Sequence, residues 1–394
     1  MAYSDEDLNS AVTAGVISEE AAGALRDHVA KLRHMPKSDE ENFRLINSFN
    51  DIFVAIGVVI MLIAAGSIGS AIAELIAPAE NSFGFWNSGT EPTAAEVAAW
   101  EAARELQDAL KPMLAGLFVA AVSWPLAEFF TRKRRMALPS IILLLAFVGG
   151  IFAAVFGAGA ALAGTSGNSI GGFIASASGL VAAVAAWVHW KRFMVPITVA
   201  AGAGAIAVTV VALLAATYSA LSGANPDNVV LALVFAAGIA IFTLAMRWDM
   251  SDRERTTRRS DVAFWLHLLA APMIAHPVFS SQGVIDGGQN VAPSSAFIVI
   301  AIYVLFGAIA VAIDRRALLV SALAYVLAAL ALLFERFGAV ELTFALTALV
   351  IGSALLSLSA FWSPIRRSLV DKLPSGLSAQ LPPTEQLQAV PEAA

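Results

Sequence analysis

Two histidines, His267 and His276, lie inside an apolar stretch together with Pro272 and Pro277. An imidazole changes charge near neutral pH and can relay a proton or contact a substrate, and inside a membrane an ionisable group is expensive to keep. Counted from Val262, the two rings lie roughly 8 Å and 21 Å along a helix, and nine residues of separation put them on opposite faces, so they cannot form one site by themselves. Each proline frees a carbonyl one turn earlier, so this helix should kink and offer polar backbone to its neighbours. A neutral histidine bonded to such a carbonyl is the alternative to a relay. Asp51, Glu74, Glu128, Glu335, Arg336 and Glu341 instead fall within about a turn of the ends of apolar stretches. Glu74, Glu335, Arg336 and Glu341 would converge if the first, ninth and tenth stretches are neighbours, giving carboxylates that could hold a cation, or simply a solvated rim.

No other pattern carries chemistry. Cysteine is absent, which excludes disulfides and thiolate sites. No metal-ligand set, cofactor motif or acid–base pair points to an enzyme. The pair Gly202 and Gly204 lies within an apolar stretch with no strand before it and no lysine after it, which favours close helix packing over a nucleotide loop.

The elements that position these residues are legible from composition. With 58% hydrophobic and 14% charged residues, against about 25% charged in a soluble domain, the chain belongs in lipid. The expected fold is all-α, a polytopic transmembrane bundle of about ten spans. Residues 52–73 would cover roughly 33 Å, enough for a hydrocarbon core of about 30 Å. Nine further spans are placed at 112–130, 138–162, 170–190, 193–218, 229–246, 261–279, 296–313, 317–334 and 342–362, so that the domain covers 49–364. Pro112, Pro139 and Pro196 would sit in first turns, where a missing N–H costs nothing. Before the spans, residues 1–48 read as a helical hairpin and linker, with Ser4 and Asp7 opening one helix, Gly15 closing it and Ser18 capping the next. Its narrow stripe of Leu25, Val29 and Leu32 calls for a protein partner. On the opposite side a long acidic loop, 78–111, should carry a helix over 94–110 started by the capping box Thr93 and Glu96. The end of the chain, 365–394, reads as a disordered tail.

Basic residues punctuate the spans. Of 24 Lys and Arg, Arg104, Lys111 and Arg336 fall on one side and the rest on the other, which by the positive-inside rule puts both termini on the cytoplasmic side of the membrane. The basic run Arg132 to Arg135 is then an orientation signal that touches anionic lipid, with no role in binding nucleic acid. The second basic residues of the four internal pairs, Arg135, Arg192, Arg259 and Arg316, recur at intervals of 57, 67 and 57. That spacing fits either duplicated two-span units or the length any two spans need. Gly149, Gly150, Gly157, Gly159 and Gly164 in the third span, like Gly202 and Gly204 in the fifth, suit close helix contact.

The stretches LNSAVTAGVISEEAAGALRDHVAK, 8–31, and NFRLINSFNDIFVAIGVVIMLIAAG, 42–66, resemble the N-terminal region of an uncharacterised bacterial membrane family, the domain of unknown function 2157. The resemblance covers the first third of the chain and implies a bacterial polytopic membrane protein, without a reaction or ligand to carry over. Two functional readings stay open. One is a permease-like or lipid-handling transporter for a weakly polar or amphiphilic cargo, since mid-depth charges for coupled transport are missing. The other is a non-catalytic scaffold or sensor that recruits partners through its hairpin and acidic loop.

Overall fold

The structure, a computed structural model, describes residues 10–25, 49–79, 91–164, 168–253, 255, 257–281, 293–316, 319, 323, 327 and 343–384. Those residues are predominantly helical, with no strand among them. The chain divides into two compact units, Met1–Asn42 with Pro383–Ala394, and Phe43–Pro382. Within the first unit a short helix closes at Gly15, whose φ of +70° needs no Cβ, as Val16 N donates to Ala11 O at 2.9 Å. Ser18 then caps the next helix by accepting from Ala21 N at 3.1 Å. Ser4, Asp7, Val29 and Leu32 lie outside the described residues.

The second unit holds α1 (Phe49–Ile76), α2 (Ala94–Ala127), α3 (Ala137–Ala163), α4 (Asn168–Phe193), α5 (Ile197–Ser222), α6 (Asp227–Met250), α7 (Arg258–Ser280), α8 (Pro293–Ile313), α9 (Thr343–Ala360), α10 (Trp362–Val370) and α11 (Ser375–Ser378). Among the described residues α1 to α7 are long and apolar enough to cross a membrane, and the bent pair α9 and α10 makes an eighth if counted as one span. The chain is therefore a multi-pass helical membrane protein. The apolar part of α8, Ile300–Ile313, is shorter. Most of the expected span 317–334 lies outside the described residues.

α2 differs from expectation. Instead of a loop helix followed by a span that starts at Pro112, one helix of 34 residues runs through Pro112 and Pro125. Its start is the expected box: Thr93 N donates to Glu96 Oε2 at 2.8 Å and Glu96 N to Thr93 Oγ1 at 3.3 Å. The proline does not break it because neighbours hold both flanks in line. Gln107 Nε2 donates to Ala77 O at 3.1 Å, Lys111 Nζ lies 3.0 Å from Glu74, and α3 lies against Ala109 and Met113 at Gly157. Residues 94–111 thus extend the second span by roughly 27 Å. At its other end α2 widens into a π-helix, Glu128–Lys133.

Backbone contact seals α1, α2 and α3. A methyl built on Gly150 would lie 2.6 Å from Gly116 O, and one on Gly69 2.6 Å from Leu114 O. On α4, a methyl on Gly179 would meet Ala205 O of α5 at 3.0 Å. The fifth span's own glycines do not seal anything: Gly202 and Gly204 face side chains at ordinary distances of 3.6 and 3.5 Å, and Gly149 faces open space. The close approach comes from the fourth span because its small residues point at the α5 backbone.

The turns at the basic end share one conformation. Arg135, Met194, Arg255 and Asp314 have φ of 53°, 54°, 54° and 58°, and lie 59, 61 and 59 residues apart. Arg135, Met194 and Arg255 each lie between consecutive helices and Asp314 directly follows α8, and the left-handed conformation costs roughly 1–2 kcal/mol for an L-residue. This period is more regular than that of the basic pairs and favours a recurring two-span unit. The prolines do not share the register: Pro139 follows its turn residue by four positions, Pro196 by two.

Replacing Gly150 with Ala should lower stability by about 1–3 kcal/mol through overpacking, whereas Gly149→Ala should change it by less than about 0.5 kcal/mol. Unfolding midpoints of the purified protein in detergent distinguish the two, and equal losses would refute the seam.

Candidate functional site

At the basic end, the last turn of α6 places Asp249 against α7 and the turn after α8. Asp249 is 4% exposed and His267 is fully buried, with His267 Nε2 2.8 Å from Asp249 Oδ2. The left-handed Asp314 turns the chain so that Arg315 points inward, 2% exposed. Arg315 Nη2 donates to Asp249 Oδ1 and its Nε to Oδ2 at 3.3 Å, while Nη2 also reaches Ser260 O at 3.2 Å and Ser260 Oγ at 3.3 Å. A carboxylate already bound by a guanidinium is an acceptor, so His267 Nε2–H donates to it and Nδ1 carries the lone pair. That Nδ1 is buried with no hydrogen-bond partner, and the Phe242 ring stands edge-on to the imidazole at 5.2 Å.

A second layer holds the first. Asp252 Oδ2 accepts from Thr257 N at 3.0 Å and Thr257 Oγ1 at 2.6 Å, closing the α6–α7 turn, and Thr257 Oγ1 caps α7 by accepting from Arg259 N at 3.2 Å. Arg255 Nη1 donates to Asp314 Oδ2 at 2.9 Å and its Nη2 to Asp314 O at 2.9 Å, while Trp362 Nε1 donates to Asp314 Oδ1 at 2.7 Å. Beyond these, Arg253 donates twice to Leu381 O, at 3.1 and 2.9 Å, and Arg366 Nη2 to Pro382 O at 2.6 Å. Leu381 is buried with Trp362, Val370 and Ile313. The tail expected to be disordered from residue 365 is therefore folded through 382, because two arginines and a leucine pocket compensate its ordering entropy. Residues 385–394 lie outside the described residues.

The expected site residues separate. His267 enters the network but bonds Asp249 on α6 and not a carbonyl freed by proline, because its face of α7 meets the last turn of α6. His276 is exposed, so the two histidines are not brought together. Glu74 is paired with Lys111, and Glu335, Arg336 and Glu341 lie outside the described residues. Among the described residues no group of three His, Cys, Asp or Glu is placed to hold a metal ion. α7 stays helical through both prolines, with Pro277 buried and Pro272 exposed.

Asp249 and Arg315 were not legible as a site. An acid beside Arg247 resembles a solvated pair, and Arg315 resembles half of an orientation signal. The available signal was that Arg315 has apolar Val311 and Leu319 one turn to either side. A parallel link joins α2 to α4. Glu128 accepts from Arg192 Nε at 2.6 Å and Nη2 at 3.0 Å, and from Arg132 at 3.3 Å. Acid and arginine are 64 residues apart there and 66 apart in the buried network. Close by, buried His189 is ringed by Trp124, Phe147 and Phe193, with Nδ1 3.5 Å from Thr198 Oγ1.

Comparison with known protein families, with curated proteins and with solved structures finds no match to this chain.

Arg315→Met should destabilise the protein by about 3–5 kcal/mol, because Asp249 stays buried without its cation, and the double variant Asp249→Leu with Arg315→Met should recover most of that loss. Arg192→Met, at the solvent-accessible link, should cost much less, because water screens that pair. Thermal unfolding in detergent measures all three, and equal losses for the two arginines would show that burial is not what separates them.

Proposed function

We propose that this protein is a permease-like or lipid-handling carrier for a weakly polar or amphiphilic cargo, in a bacterial cytoplasmic membrane with both termini inside. The N-terminal resemblance supports the setting, and the basic turns support the orientation. The observation that carries the reading is the placement of α7. Half of its apolar window is buried, the largest share among the seven spans, and it packs against both α5 and α6. It also contains two prolines and ends in a buried polar latch. Burying an aspartate, a histidine and an arginine at the end of so enclosed a helix carries a desolvation cost, and the bonds that offset it are of a kind that a polar cargo group could exchange. A cargo oxygen offered to Arg315 would replace Asp249 as acceptor and let α7 part from α6. Glycine-sealed α1 to α3 would then be the fixed half and α6 to α8 the moving one, with no covalent chemistry and no cofactor.

The extension of α2 favours a second reading. Glu96, Glu101, Glu105 and Asp108 are exposed on it, an acidic surface suited to a scaffold or sensor that recruits a basic protein partner.

Because the chain has no cysteine, single cysteines report access directly. Ser260→Cys, buried beside Arg315, should react slowly with a membrane-impermeant maleimide in inverted vesicles, and at least about tenfold faster when Asp249→Asn weakens the latch by roughly 1.4 kcal/mol. Ala182→Cys, buried in the α4–α5 region, should stay protected in the same background. His276→Gln should leave both rates unchanged. Equal rates at Ser260→Cys with and without the latch would favour the static scaffold.

A further inference from the structure

α10 leaves α9 at 72° and presents three faces. Trp362, Arg366 and Val370 are buried against the protein. Ser363 and Arg367 lie one turn apart on the next face, which is polar, and Asp371 continues it. The remaining stripe, at helical spacing of four, three and four, is Phe361, Ile365, Ser368 and Lys372. With Pro364 and Leu369 these line an open cleft of about 530 Å³, within the range of roughly 300–1,000 Å³ typical of small-ligand sites. Phe361 and Ile365 are 59% and 41% exposed.

A short helix with one face on protein, one apolar and one charged fits the line where bundle, hydrocarbon and water meet. Its bend from α9 suits a helix lying along the membrane surface. An apolar cleft there opens onto acyl chains. The charges beside it are mainly positive: Lys372 lines the cleft, Arg367 lies on the adjoining face, and Arg316 stands over the Trp362 ring at 5.0 Å. Asp371 is the nearby acid, whereas Asp314 is engaged by Arg255 and Trp362.

We propose that α10 seats one anionic phospholipid from the leaflet at the basic end, with an acyl chain along Phe361, Ile365 and Leu369 and the phosphate at Lys372 and Arg367. This goes beyond the carrier reading and holds whether the protein moves cargo or recruits partners.

The test is native mass spectrometry of the full chain in detergent, with phosphatidylglycerol, phosphatidylcholine or inorganic phosphate added in separate arms. At about fivefold per cation, the protein should retain a phosphatidylglycerol adduct at least about fivefold more strongly than phosphatidylcholine. Lys372→Glu with Arg367→Glu should bring the two lipids to parity, while Arg134→Glu, at a basic turn away from the cleft, should leave the preference in place. Ile365→Ser should weaken retention of both lipids, and unfolding midpoints check that each variant is folded. Equal retention of the two lipids by the unaltered protein would overturn the proposal. So would a preference that survives charge reversal at Lys372 and Arg367 in the folded variant. Saturation of the site by inorganic phosphate alone would also overturn it, by assigning the cations to a free anion.

Discussion

An ion pair removed from water has to find all its partners inside the protein, and the arrangement of α6, α7, α8 and α10 follows from that need. Asp249 and Arg315 are both almost completely buried. Unpaired, either would cost several kcal/mol after relaxation, so each must be met by donors or acceptors at hydrogen-bond distance. Arg315 therefore comes in from a left-handed turn, His267 faces the last turn of α6, and Ser260 turns its carbonyl and hydroxyl toward the guanidinium. Position in the chain is dictated here by electrostatics. The apolar surfaces of α6 and α7 would pack in many registers, but the carboxylate and the guanidinium meet in one.

The rest of the bundle is fixed by another means. Between lipid-exposed helices the hydrophobic effect gives little net attraction, so association depends on close van der Waals contact and on backbone approach at small residues. Gly69, Gly116, Gly150 and Gly157 supply that contact for α1, α2 and α3. Such a seam has no alternative partners to exchange. An ion network does, since any group with a suitable oxygen can take the place of a carboxylate at an arginine. The two modes of packing therefore divide the bundle into a part with one arrangement and a part that could have two.

The sequence disclosed the elements whose signals are local. Hydropathy located α1 to α7, Thr93 with Glu96 located the start of α2, and Gly15 with Ser18 located the turn between the first short helices, because these signals lie within each segment of the chain. It disclosed less where partners lie far apart in the chain. Pro112 was expected to begin a helix and is instead crossed by one, since the contacts holding α2 straight come from Glu74, Ala77 and Gly157. The tail was expected to be loose because Pro, Gln and Ser dominate it, but residue 381 is pinned by Arg253 of the α6–α7 turn and residue 382 by Arg366 of α10. His267 stood out as a histidine in an apolar stretch, but its partner Asp249 was hidden among basic residues that mark orientation.

The two acid–arginine links sharpen the question of duplication. Glu128 with Arg192 and Asp249 with Arg315 each join the end of one span to the end of the span two further on, at nearly equal separation. Turns with the same left-handed residue recur with a period near sixty. The register of prolines is not kept, and neither is burial: the first link keeps contact with water and the second has lost it. If the units share an origin, what persisted is the geometry that closes a hairpin at the basic end and the charge pair that ties alternate helices together. What changed is the dielectric around the pair. A link near water is worth little and is readily exchanged with solvent, whereas the same link buried becomes a strong and selective constraint. Burial, together with His267 on α7 and the C-terminal segment beside the outer layer, makes the Asp249–Arg315 link the element on which the α6 to α8 half depends.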